Sequence, residues 1–195
     1  MTIRQATIAR TTNETSINVS LRLAPGDISV STGIGFLDHL LTALATHARL
    51  SLELIAKGDL HIDDHHTAED CAIVLGKALD AALVDRRGIA RFGYAYAPLD
   101  ESLARAVVDL SGRAAAVVSL DLRRPTLGTL ACENITHVVQ TLAANARAAI
   151  HLDVLRGEND HHKAEAAFKA LALALRQAIS IDGDEIPSTK GVLAS

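Results

Sequence analysis

The run Asp-His-His-x-Ala-Glu occurs twice in this chain, at 64–69 and at 160–165, and the repetition extends well beyond it. A shift of 98 residues lays Leu44-Ala45-Thr46-His47-Ala48-Arg49 on Leu142-Ala143-Ala144-Asn145-Ala146-Arg147, and His39 on His137. A shift of 96 superimposes the two motifs and carries Leu75, Ala78, Leu79 and Ala82 onto Leu171, Ala174, Leu175 and Ala178. Two halves of about 90 residues therefore share one plan, and a chain of 195 residues is long enough to pack them together. The division expected is a first half at 1–90, a second half at 91–182 and a tail at 183–195 that belongs to the active site.

Periodicity supplies the plan of each half. Residues 15 to 23 alternate through Ile17, Val19, Leu21 and Leu23, and Ile28 with Val30 resume the alternation after Pro25-Gly26-Asp27, which predicts half-buried strands. Phe36, Leu37, Leu40, Leu41 and Leu44 recur at helical spacing up to 49; a strand at 50–55 and a long helix at 64–84 follow. In the second half the expectation is strands near 92–98, 103–111 and 115–121, a helix near 134–147, a strand near 149–155 and a helix from 161 to about 179. Each half reads βββαβα, a mostly antiparallel sheet covered by two helices, and the class is α+β. The last helix is nearly apolar all round from Ala164 to Leu175, which predicts burial on several sides and contacts between subunits.

Each motif sets a histidine and a glutamate four residues apart, so on a helix the two share a face. The adjacent histidine lies about 100° round the axis, and one helix cannot aim both at the same ion. Two ions follow, each taking a His/Glu pair from one helix and a lone histidine from another. The ligand candidates are His39, His65, His66, Glu69, His137, His161, His162 and Glu165, four for each ion. Mixed imidazole and carboxylate ligation with open positions suits Mn²⁺ or Fe²⁺ better than a structural Zn²⁺. Asp64 and Asp160 stand where helix N-caps are expected.

Other residues complete a reaction site. Glu14 precedes a strand and is a candidate general base, while Asp100 and Glu101 form a second acidic pair. Ser188 and Lys190 offer a hydroxyl and an ammonium near a glycine, a phosphate clamp that Arg91 and Arg113 can join. A net charge of −4, no Trp and five Phe or Tyr residues argue against a nucleic-acid binder. No apolar stretch reaches the length of a membrane span, and the opening residues carry no signal core. The isolated Cys71 and Cys132 suggest a reducing cytoplasm, with Cys71 in the core.

The motifs at 10–15, 35–39, 58–70, 91–93, 98–101, 109–113, 161–170 and 188–191 together resemble, in order and across essentially the whole chain, the imidazoleglycerol-phosphate dehydratases of histidine biosynthesis. Two positions depart from that pattern: Ala43 replaces a polar glutamine, and Thr136 precedes His137 where an acid is usual. The resemblance implies dehydration of D-erythro-imidazoleglycerol phosphate to imidazoleacetol phosphate, with two Mn²⁺ per subunit. It also implies a 24-subunit cage with sites between neighbours, and a duplicated fold related to a domain of ribosomal small-subunit proteins. It assigns the metal role to the eight residues above, the base to Glu14, and the phosphate grip to Arg91, Arg113, Ser188 and Lys190.

The chemistry agrees with those residue types. The proton to be lost sits on carbon and is weakly acidic, so ions at the ring nitrogens are needed to make the ring an electron sink. Hydroxide then leaves through a diazafulvene-like intermediate, a carboxylate takes the proton, and the enol ketonises. A binuclear metallohydrolase and a shell merely locked by metal remain as rival readings at this point. Turnover of the imidazole substrate discriminates all three.

Overall fold

The computed structural model describes residues 4–193, so the opening residues 1–3 and the tail's last two, 194–195, lie outside the described residues. The first half runs β1 (Gln5–Thr11), β2 (Thr15–Arg22), β3 (Ile28–Ser31), α1 (Gly35–Ala48), β4 (Ser51–Gly58) and α2 (His65–Leu83). The second runs β5 (Phe92–Leu99), β6 (Ser102–Asp109), β7 (Ala115–Ser119), β8 (Thr126–Leu127), β9 (Leu130–Ala131), α3 (Cys132–Asn145), β10 (Ala149–Arg156) and α4 (Asp160–Ala178). The sheets have orders β1-β2-β4-β3 and β5-β6-β10-β7, the same arrangement twice. Each is antiparallel except at one edge, where β3 runs parallel to β4 and β7 parallel to β10.

The alternation in β2 is what seats the first sheet: Thr15, Ile17, Val19 and Leu21 point inward and are buried. β1 is the strand that the apolar pattern does not locate. It pairs along its whole length with β2, Ile8 opposite Val19, yet none of its residues is fully buried. An edge strand with half-covered positions has little contrast between its faces, and its alternation of Ala, Thr and Arg carries a weak signal. The β8–β9 ribbon is an insertion in the second half with no counterpart among the described residues of the first.

The helices pack against the sheets and against each other across the two halves. α2 lies on β1 and β2, α4 on β5 and β6, and the helix pairs are α1 with α4 and α2 with α3. Gly76 permits the second crossing, since a Cβ there would stand 2.7 Å from the Asn145 Cβ and 2.9 Å from the Leu142 carbonyl. One continuous apolar core runs through both sheets' inner faces and all four helices. Packing within the chain accounts for the all-round apolar character of α4. Between Ala164 and Leu175 its apolar residues are buried apart from Leu173, which is partly so. The composition of α4 therefore carries no argument for a subunit contact.

The capping bonds come from one residue before the expected aspartates, although Asp64 does stand at the N-cap position of α2 without a capping bond of its own, while the N-cap of α4 is Asn159 and not Asp160. Asn159 caps α4 by accepting from the His161 amide at 2.9 Å, and Asp63, its counterpart under the 96-residue shift, accepts from the His65 amide at 2.9 Å. The aspartates next in sequence do other work. Asp64 accepts from the Ala131 amide at 2.7 Å and ties the start of α2 to the second half. Asp160 is buried, accepts from the Arg123 and Arg124 amides at 2.8 and 2.6 Å, and faces the fully buried Lys163 ammonium at 3.3 Å. Lys163 in turn donates to the Asp121 carbonyl at 2.6 Å, so the buried ion pair is hydrogen-bonded on both sides.

Candidate metal centre

Six of the eight ligand candidates gather into two groups, and each group draws on both halves. His65 and Glu69 at the start of α2 meet His137 of α3; His161 and Glu165 at the start of α4 meet His39 of α1. In each group the three ligand atoms lie within 4.8 Å of one another, a spacing that can hold a divalent cation. The Glu69 carboxylate lies 3.0 Å from His137 Nε2 and 3.9 Å from His65 Nε2. The Glu165 Oε2 lies 3.2 Å from both His39 Nε2 and His161 Nε2. The i,i+4 geometry of the two motifs produces these pairs, and the cross-half helix contacts bring in the third residue.

His66 and His162 are in neither group. As the 100° rotation requires, each turns away from its neighbour's cluster. The Nδ1 of His66 lies 3.0 Å from Asp59, and the Nδ1 of His162 lies 2.7 Å from Glu101. The carboxylate contact raises the pKa of each imidazole. It also leaves Nε2 as the nitrogen available outward, the pattern by which carboxylates orient metal-binding histidines. The Nε2 of His162 has Asp100 at 3.6 Å. Asn134 does the same for His65, its Oδ1 standing 2.9 Å from Nδ1.

Glu101 of the acidic pair is an anchor. Its Oε1 accepts from the Asn159 and Glu158 amides at 2.9 and 3.1 Å, and these bonds with His162 hold its pKa far below the usual range. Glu165 is held at about 2: burial works against ionisation, but hydrogen bonds from Lys169 and His39 outweigh it. Asp59 and Asn134 have no signal in the spacing, since their contacts arise from a loop folding back and from the crossing of α2 and α3. Lys169, by contrast, lies four residues after Glu165 on the same face of α4, and its i,i+4 spacing is the available signal.

Glu14 sits exposed in the β1–β2 turn, and its charge contributes to the raised pKa of His66, which puts it within electrostatic reach of the start of α2. The turn is fixed from both ends. Thr12 Oγ1 accepts from the Glu14 and Thr15 amides at 3.1 and 3.0 Å, while Arg10 and Thr15 both bond the buried Asp70 of α2.

The clamp residues lie at the other end. Arg91 forms a forked pair with Asp109 at 2.7 and 3.0 Å and donates to the Pro187 carbonyl at 2.9 Å, which brings Ser188 beside it. The Lys190 amide donates to Ser188 Oγ at 3.2 Å. Arg113 is exposed just beyond β6, whose Asp109 pairs with Phe92, so it flanks the same sheet end as Arg91. The Arg91 amide bonds Ala178 at the end of α4, whereas the ligands Glu165 and His161 stand toward its start, about 20 and 25 Å away along the axis. Within one chain the clamp and the metal groups are not brought together. A cavity of about 720 Å³ also lies at the clamp end, between Arg4, Arg22, Arg87 and Ile181, and includes none of the ligand candidates.

The chain is similar to known proteins in fold and in sequence. Two solved imidazoleglycerol-phosphate dehydratases superimpose on the chain. The one from Staphylococcus aureus has a TM-score of 0.83 at 37% identity, covering 91% of this chain and 99% of that one. The one from Pyrococcus furiosus has a TM-score of 0.82 at 38% identity, covering 95% and 100%. A relative named imidazoleglycerol-phosphate dehydratase from Phytophthora nicotianae is 59% identical over 98% of this chain, which spans 43% of that protein's length. Another of the same name from Pyricularia oryzae is 51% identical over 98% of both chains. The profile of the imidazoleglycerol-phosphate dehydratase family matches residues 32–175, and the chain belongs to that family.

Proposed function

We propose that this chain dehydrates D-erythro-imidazoleglycerol phosphate to imidazoleacetol phosphate, in L-histidine biosynthesis in the cytoplasm, using two Mn²⁺ ions per subunit. The observation that carries the reading is the pair of cross-half His/Glu/His groups, each one histidine short of the expected four ligands. His66 and His162 are oriented by carboxylates to serve as the missing ligands, but to groups in neighbouring copies. The distance of about 20–25 Å along α4 between the clamp and the Glu165 group supports the same conclusion, because a phosphorylated three-carbon side chain on an imidazole is far shorter. One copy supplies metal ligands while another supplies Arg91, Arg113, Ser188 and Lys190. A closed shell of 24 subunits is the assembly we favour, with halves at 1–90 and 91–182 and an active-site tail at 183–195.

The donor set fits a hard or borderline divalent ion, with three imidazoles and one carboxylate at each position. The ions would act as Lewis acids on the imidazole ring and favour its anionic form. The chain's own residues do the rest. The arginines, Ser188 and Lys190 hold the phosphate with charge-assisted bonds and fix the side chain's position. Glu14, held in its turn near the start of α2, takes the proton from the carbinol carbon one bond beyond the ring-attached carbon that loses hydroxide, because Glu69 and Glu165 are committed as ligands. The test is turnover of imidazoleglycerol phosphate by chelator-treated protein before and after Mn²⁺ is returned. Formation of imidazoleacetol phosphate only with the ion is expected. No turnover under either condition overturns the proposal and favours a shell merely locked by metal, and hydrolysis of an ester instead favours a metallohydrolase.

A further inference from the structure

The two metal-capable groups follow one plan but differ by a single cation. Glu165 presents Oε2 to His39 and His161, and its other oxygen, Oε1, accepts from the Lys169 ammonium at 2.8 Å. The 96-residue shift that aligns the motifs places Ile73 opposite Lys169. Among the described residues Glu69 accordingly has no ammonium or guanidinium partner, and its ion-pair partners are His65 and His137. Both of its oxygens face the group, one toward each imidazole. Lys169 and Glu165 have side chains only 22% and 15% exposed, so their contact is shielded from most of the screening that weakens surface pairs.

A neutral donor beside a ligand carboxylate orients it and strengthens the site. An ammonium orients it too, but it also occupies one acceptor oxygen and sets a positive charge close to the dication. The net charge of the chain's contribution is −1 at the Glu69 group and zero at the Glu165 group once Lys169 is counted. We infer that Lys169 makes the two metal positions unequal: the Glu165 position takes its ion through one carboxylate oxygen and gives it up first, while the Glu69 position retains its ion. The inference rests on the reading of both groups as metal sites. It also implies that the weaker ion is the one that exchanges while the fold stays intact.

The experiment is a Mn²⁺ titration of the full chain after exhaustive chelation, with the free aqueous ion followed by its electron paramagnetic resonance signal and bound metal by elemental analysis. Two steps of one ion per chain are expected, separated by about tenfold or more in affinity, the order expected for one neighbouring charge. Glu165→Gln should remove the weak step and Glu69→Gln the tight one. Lys169→Gln, which keeps a donor without the charge, should draw the weak step up toward the tight one, and Lys169→Arg should keep the two apart. A single step in the parent, an unchanged separation in Lys169→Gln, or loss of the tight step in Glu165→Gln overturns the inference. Absence of Mn²⁺ binding at either group overturns instead the metal reading on which it rests. Circular dichroism and melting of each variant identify any that misfold, and in that event Lys169→Met, which keeps the apolar stem, repeats the comparison.

Discussion

The Glu69 carboxylate stands 3.0 Å from His137 Nε2, and the two residues come from opposite halves of the chain. The Glu165 carboxylate and His39 repeat the relationship in the other direction at 3.2 Å. A metal ion at either place would therefore fasten α2 to α3 or α1 to α4, the same helix pairs whose packing joins the two sheets. Neither half possesses a complete group, so the duplication and the chemistry are inseparable.

Metal removal should then act on stability and on assembly together. Chelator-treated protein is expected to melt at lower temperature, because an ion that binds only the folded form stabilises it by mass action. It is also expected to fall to smaller, inactive oligomers, since among the described residues His66 and His162 join neither group of their own chain. Mn²⁺ should restore size and turnover. Light scattering that gives the same mass for fully demetallated and metal-loaded protein would refute the link.

The clamp is checked at Lys190, whose exposed position in the tail gives it no structural duty beyond its amide bond to Ser188. Lys190→Ala should weaken substrate binding by about 2 kcal/mol, roughly 30-fold in KM, with melting temperature and metal content unchanged. A parental KM removes Lys190 from the phosphate grip.

Much of the candidate site is legible in the amino-acid sequence alone, and for a physical reason. The groups rest on the i,i+4 geometry of helices, which places His65 with Glu69 and His161 with Glu165 without reference to the rest of the chain. The 100° rotation likewise separates His66 from His65. Contacts set by tertiary crossings leave no such trace: Asn134 on His65, Asp59 on His66, and Glu101 holding His162 rather than standing free. Asp64 stands at the N-cap position of α2 as expected, but the bond to the helix amide comes from Asp63, because the two are equally good capping types and only the path of the loop decides which faces the helix amides.

Gly76 offers a test of the α2–α3 crossing that involves no ligand. Gly76→Ala places a methyl group against the Asn145 Cβ and the Leu142 carbonyl, and backbone cannot yield as a side-chain end would. A loss of about 1–3 kcal/mol is expected from overpacking, despite the better helix propensity of alanine. Gly35→Ala, where a Cβ meets nothing within 4 Å, is the control and should be neutral or slightly stabilising. Chemical denaturation of the two variants in parallel decides it. Equal midpoints would mean that the helices can separate at no cost, and that the crossing does not constrain the Glu69 group.

The roles of base and ligand separate most sharply at Glu14 and Glu69. Glu14 lies outside both groups in a turn pinned by Thr12, Thr15 and Arg10, so Glu14→Gln leaves every ligand and every turn contact in place. It should retain metal and assembly while turnover falls on the order of 10²-fold or more, the scale of a lost proton transfer. Glu69→Gln should instead lower metal content, because a neutral amide is a poorer ligand for such an ion, and its loss of activity should be partly recovered at high Mn²⁺. Elemental analysis of metal per chain, run beside the dehydration rate for both variants, distinguishes the two. Loss of metal in Glu14→Gln, or near-parental turnover, would transfer the base to another carboxylate. Asp100 is then the next to test, since its Oδ2 stands 3.6 Å from His162 Nε2 and Glu101 is already committed to the Asn159 and Glu158 amides.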